Sequence, residues 1–178
     1  MNIPFEYDKL IHKGRVVELH TVGIKMPDGR VVARDLVRHP QAAVILPVLA
    51  DGSVVMIRNR RYAVQEMLLE LPAGGIDAGE DPAAGARREL LEETGYTAGK
   101  LELLGTYFSA PGSTDEVMHT FLATDLRAGE QQLEDYEEIR LEIVPLADIR
   151  RMILDGALHD GKSIIAMSLY WLAKGGMA

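Results

Sequence analysis

Hydrophobic and polar positions alternate in short blocks through the first part of the chain. Residues 16–25 (VVELHTVGIK) and 31–38 (VVARDLVR) are rich in β-branched side chains and flank Pro27-Asp28-Gly29-Arg30, so they predict a hairpin with turn chemistry at its tip. A second hairpin is expected from 42–49 (AAVILPVL) and 53–58 (SVVMIR) around Asp51-Gly52. The nearly continuous apolar character of 42–49 predicts a strand buried on both faces, with Pro47 the residue a central strand tolerates least. Residues 67–72 (MLLELP) read as a short strand, and 73–79 (AGGIDAG) as a glycine-rich loop. The pattern then changes period. Asp81 has the chemistry of an N-cap, Pro82 that of a first helical residue, 83–94 is rich in Ala, Leu, Glu and Arg, and Gly95 stands where a helix stops. Further strands are expected at 101–108, 117–123 and 139–145, and helices at 146–154 and 163–174. The sum is an α/β chain, a mixed sheet with helices packed on it, without an internal repeat, low-complexity tract or linker.

Composition narrows the chemistry. The chain has 178 residues, 47% hydrophobic and 26% charged, the size and balance of one globular domain. No apolar run reaches the length of a membrane span, and the start has neither a basic nor an apolar leader region, so a cytoplasmic protein without a membrane partner is expected. The absence of cysteine excludes disulfides, zinc-thiolate sites and cysteine nucleophiles, so a bound metal must be held by oxygen or histidine. A formal charge of −8 argues against nucleic acid as a partner. A small phosphorylated ligand stays open to such a protein if arginines or a cation reverse the field locally.

That cation has a candidate site. On the predicted helix, Glu89, Glu92 and Glu93 are spaced by three and four residues and share one face. Like charges so placed cost a helix about 0.2–0.5 kcal/mol per pair, a liability that a hard divalent ion removes. Arg88, one turn before Glu92, can hold that carboxylate with a bidentate pair. An acidic helix face alone is more often simply solvated, and context decides between the two readings. Counting from Gly74, five residues lead to Glu80, seven more to Arg88, and the chain continues Arg88-Glu89-Leu90-Leu91-Glu92-Glu93-Thr94-Gly95-Tyr96.

This segment, 74–96, resembles the Nudix box at every fixed position, with Tyr96 in place of the usual aliphatic residue. The resemblance implies the Nudix fold, a mixed β-sheet between helices (α/β/α) over 41–178, preceded by an antiparallel β segment over 1–40. In the diphosphatase branch of that family it implies metal ligation by Glu89, Glu93 and the carbonyl of Ala73. Glu92 then serves as a further ligand or water-orienting catalytic group, and Glu80 supports the loop and Arg88. The metal implied is Mg²⁺, with Mn²⁺ as a substitute.

The resemblance extends past the box. Residues 57–74, IRNRRYAVQEMLLELPAG, look like the segment of ADP-ribose pyrophosphatases in which an arginine and a glutamate, here Arg61 and Glu70, meet the substrate. An ordinary surface cation is the competing reading of Arg61. Residues 109–116, SAPGSTDE, are similar to the proline-containing signature of the same subfamily, which adds Pro111 and Glu116 to the substrate-binding candidates. Its catalytic base implies a carboxylate in the loop 133–139, with Glu134, Asp135 and Glu137 all open. In that subfamily the N-terminal strands cross to a partner subunit, which implies a homodimer and makes Arg34 and Arg38 candidates for binding the base. The expected reaction is hydrolysis of ADP-ribose to AMP and ribose 5-phosphate. GDP-mannose or another nucleotide sugar, or a sensor that binds ADP-ribose without turnover, are the rivals. The five histidines show no ligand spacing and, like Trp171, read as structural.

Overall fold

The structure is a computed structural model describing residues 4–133 and 137–175. Strands β1 (Tyr7–Lys13), β2 (Glu18–Lys25) and β3 (Val31–Arg38) form an antiparallel sheet in the order β1-β2-β3. The core follows with β4 (Ala42–Pro47), β5 (Ser53–Arg61), β6 (Glu66–Glu70), β7 (Ala73–Gly75), α1 (Pro82–Thr94), β8 (Thr97–Phe108), β9 (Val117–Arg127), β10 (Ile139–Pro145), α2 (Leu146–Leu154) and α3 (Gly161–Ala173). One core sheet is β7-β4-β9-β8, in which β4 and β9 run parallel; the other is antiparallel, β10-β5-β6.

β4 is buried along its whole length, and its alternation divides the core. Ala43 and Ile45 meet Ala86 and Leu90 of α1 together with Phe121 and Ala123 of β9. Val44 and Leu46 point the other way, into a cluster with Val54 and Met56 of β5, Ile149 of α2, and Ala166 and Met167 of α3. Helices therefore cover both faces, as a strand that is apolar at every position requires. Trp171 packs against the second cluster.

The predicted helix α1 has the expected ends. The side chain of Asp81 accepts from the Ala84 N–H at 3.2 Å, Pro82 opens the first turn, and Gly95 closes it in the left-handed region at φ 74°. The second predicted hairpin does not form as such. The turn at Asp51-Gly52 is present, with Leu49 N–H donating to Ser53 O at 2.8 Å, but β4 and β5 enter different sheets, and their backbones pair only through an isolated bridge next to the turn, Val48 to Val54. The reason lies on β4, whose two edges are already taken by β7 and β9. β1 and β7 went unpredicted: every residue of β1 is exposed, so no buried face imprints a period on it, and β7 is a three-residue piece of the glycine-rich loop. No helix among the described residues is long and apolar enough to cross a membrane.

Candidate active site

A cleft of about 1310 Å³ opens where the 73–82 loop, α1, β5 and the segment after β3 meet. Its floor is set by a packing constraint. A Cβ on Gly74 would overlap the carboxylate of Glu89, so glycine here leaves the space the acid occupies. Glu93, 4% exposed, accepts the Ala73 N–H through Oε2 at 2.8 Å, which ties the helix to the residue just before Gly74. Ala73, Glu89, Glu92 and Glu93 all line the cleft.

The negative charge in this corner is only partly offset, by Arg88 at Glu89 and at a distance by Arg61 at Glu93. Burial pushes the Glu93 carboxyl up to about 8; the Ala73 N–H opposes this, and the charges of Glu89 and Glu137 add to it. Glu89 is also raised, by burial first, with Arg88 opposing and Glu92 and Glu137 reinforcing. A buried carboxylate whose ionisation is opposed by burial and by the partly buried Glu89 beside it suits a divalent cation, which reverses both effects. Among the described residues no three acidic or histidine side chains converge as a complete cage. Mg²⁺ does not need one, since it usually takes one or two carboxylates and fills its shell with water and substrate phosphate.

Arg88 organises the loop rather than one glutamate. Its fork falls on Glu80, with Nε to Oε1 at 3.2 Å and Nη2 to Oε2 at 2.9 Å, and Nη2 also reaches Gly75 O at 2.8 Å. Nη1 donates to Glu89 at 2.6 Å and to Glu92 at 3.1 Å. The bidentate partner of Arg88 is thus Glu80 and not Glu92, because Glu92 is more solvated (38% exposed) than Glu80 (19%) and offers the arginine a single oxygen. Glu80, lowered chiefly by Arg88, also accepts the Asp77 N–H and so closes the loop.

The other sequence candidates separate into three groups. Arg61 lines the cleft and forks onto Glu70, which is wholly buried at 0% exposure. Glu137 lines the cleft; Glu134 and Asp135 lie outside the described residues. Arg38, Glu116 and Pro111 belong to the junction between the N-terminal sheet and the 109–116 turn. Arg38 bridges Asp115 at 2.8 Å and Asp8 at 2.9 Å, Glu116 stands 3.1 Å from His39, and Pro111 is exposed in the turn. Arg34 donates to Ala33 O on the exposed face of β3, and it does not line the cleft of its own chain. His39, Gln41 and Asn59 line the cleft without having been singled out from the sequence; polar residues at the ends of strands carry no signature there.

The family model of the NUDIX domain matches residues 38–166. The chain belongs to the Nudix family. It is 34% identical over 159 residues to an ADP-ribose pyrophosphatase of Bacillus subtilis, covering 88% of this chain and 86% of the relative. It is 32% identical over 180 residues to a GDP-mannose pyrophosphatase of Klebsiella pneumoniae, covering 94% and 90%. A crystal structure of an ADP compounds hydrolase superposes with a TM-score of 0.85 over 98% of this chain and 96% of that one, at 23% identity.

Proposed function

We propose that this Nudix hydrolase cleaves the diphosphate of ADP-ribose, giving AMP and ribose 5-phosphate, with Mg²⁺ bound by Glu89, Glu93 and the Ala73 carbonyl. The observation that carries the reading is the buried Glu93 and the partly buried Glu89, seated beside Gly74 and opening onto the same cleft as Arg61. Mg²⁺, or Mn²⁺ in its place, supplies neutralisation of the phosphate oxygens and a more acidic water. Arg61 contributes a fixed guanidinium toward the diphosphate, and Arg88 keeps Glu89 and Glu92 turned to the floor. A carboxylate of the 134–137 segment accepts the proton of the attacking water; Glu137 lies on the cleft wall for that task. One phosphorus–oxygen bond to water forms, the bridging phosphorus–oxygen bond breaks, and the bridging oxygen leaves on the second phosphate.

The same chain is proposed to act as a homodimer in which residues 1–40 complete the partner's pocket. Tyr7, Leu10, Ile11, Leu19 and Val31 of the N-terminal sheet are exposed, which favours a covered face. The B. subtilis relative favours ADP-ribose and the K. pneumoniae relative favours GDP-mannose, so the decisive assay compares kcat/KM for both nucleotide sugars with Mg²⁺. A preference for ADP-ribose of tenfold or more is expected. A preference for GDP-mannose overturns the substrate assignment while leaving the reaction class intact.

A further inference from the structure

The first turn of α3 is tied into the cleft wall by charged groups that lie outside the box. Glu70, at the end of β6, is fully buried and has two cations. Arg61 approaches it with a fork, Nε to Oε1 at 2.9 Å and Nη2 to Oε2 at 2.6 Å. Lys162, its side chain 12% exposed, donates to the same Oε2 at 2.6 Å and stands 3.1 Å from Asp160 Oδ1. Asp160 in turn caps α3, accepting Ser163 N–H at 3.0 Å and Ser163 O–H at 2.6 Å through Oδ2. The buried Ser163 hydroxyl accepts the Leu71 N–H at 2.7 Å, two residues before Ala73. Glu70, Lys162 and Asp160, from the end of β6 and the start of α3, thus brace Arg61 at the end of β5, and Ser163 braces the backbone that leads into the glycine-rich loop.

The charge count matters for what Arg61 can do. An arginine matched to a buried carboxylate by itself is a closed ion pair, with little attraction left for a phosphate. Lys162 takes a share of Glu70, and Arg61 Nη1 has no hydrogen-bond partner among the described residues while the side chain lines the cleft. We propose that Lys162 is a positioning residue for substrate binding: by sharing the buried Glu70 carboxylate, it holds the Arg61 guanidinium at the cleft wall with Nη1 free for the diphosphate. The inference rests on the diphosphate reading of the cleft. Without Lys162, the buried carboxylate has Arg61 as its sole cation and draws the guanidinium inward.

The test uses the full chain and four variants: Lys162→Met, Lys162→Gln, Lys162→Arg and Arg61→Ala, with Lys162→Met also made in the Arg61→Ala background. Lys162→Gln keeps a donor near Glu70 without the charge and serves where the methionine variant folds poorly. With ADP-ribose and Mg²⁺, Lys162→Met is expected to raise KM about tenfold with kcat changed less than about threefold, the pattern of lost uniform binding. Lys162→Arg should return KM to within about threefold of wild type, since the charge is kept. In the Arg61→Ala background the same change should add less than about twofold, because the two act as one unit. A second readout needs neither substrate nor metal: the Arg61 Nε–H resonance in ¹⁵N-arginine-labelled protein should shift and exchange faster in Lys162→Met and Lys162→Gln, and recover in Lys162→Arg. An unmoved resonance, or a KM effect as large in Arg61→Ala as in wild type, overturns the proposal. Should the wild type turn over no nucleotide sugar, the substrate reading falls and the resonance still decides whether Lys162 positions Arg61.

Discussion

Replacing Glu93 by glutamine separates what this residue does for the fold from what it does for the reaction. The side chain is 4% exposed, and burial lifts its pKa from an ordinary 4.5 to about 8 in the metal-free protein. At pH 7 the unfolded chain ionises this carboxyl and the metal-free fold does not. At about 1.4 kcal/mol per pH unit, the metal-free fold loses on the order of 3 kcal/mol by it. Because the folded pKa is raised, the loss is absent below about 4.5, grows as pH rises, and is complete above about 8. Glutamine has the same shape, still accepts the Ala73 N–H and carries no charge, so Glu93→Gln should stabilise the protein in EDTA. At pH 8 the same reasoning gives about 4–5 kcal/mol, which for a domain of this size corresponds to a melting temperature higher by roughly 10–15 °C, with the gain shrinking toward zero at pH 4.5. Mg²⁺ should then raise the melting temperature of the wild type and leave the variant unchanged. Turnover should fall roughly a thousandfold, about 4 kcal/mol of lost transition-state stabilisation. Calorimetric scans across pH, with EDTA and with Mg²⁺, provide the check. A variant that melts below the wild type in EDTA at pH 8, or one that keeps the wild-type response to Mg²⁺, refutes the assignment.

Three further outcomes follow from other parts of the structure. Gly74→Ala should displace the Glu89 carboxylate and weaken Mn²⁺ binding, followed by electron paramagnetic resonance, by about tenfold or more; unchanged affinity removes the link between that glycine and the metal. Asp81→Ala deletes the cap on the Ala84 N–H and should cost about 1 kcal/mol in urea unfolding, a loss that Asp81→Asn largely avoids. His20 is raised above its ordinary value, chiefly by Asp8, so its pairing contributes fully below about pH 6.5 and fades as pH rises through the raised value. The stability gap between wild type and His20→Gln should therefore narrow from pH 6 to pH 9, and a gap independent of pH contradicts the pairing.

How much of this could be read from the sequence depended on how local the physics was. α1 was legible to the residue because its cap, its proline and its left-handed glycine act within a turn of the chain. The spacing of Glu89, Glu92 and Glu93 was legible for the same reason. Pairings between distant segments were not: the Asp51-Gly52 turn is real, yet β5 leaves β4 for β6 and β10, a choice made by sheet edges that no local pattern records. β1 left no periodicity because it has no buried face in this chain. Within the site, the fork of Arg88 onto Glu80 spans eight residues across the loop, and the link from Arg61 through Glu70 to Lys162 joins positions more than ninety residues apart. The pattern Asp160-x-x-Ser163 marks a helix start in sequence, but nothing local shows that it also braces the cleft wall.

The central claim, that the Glu89 and Glu93 corner uses a divalent ion to cut a nucleotide-sugar diphosphate, is tested most directly by following ADP-ribose with ³¹P NMR in the presence of the purified protein. With Mg²⁺ the two diphosphate resonances should disappear together as the monophosphate resonances of AMP and ribose 5-phosphate grow in equal amounts, and excess EDTA should halt the conversion. An intact diphosphate with Mg²⁺ and Mn²⁺ alike, or cleavage that proceeds undiminished in EDTA, contradicts it.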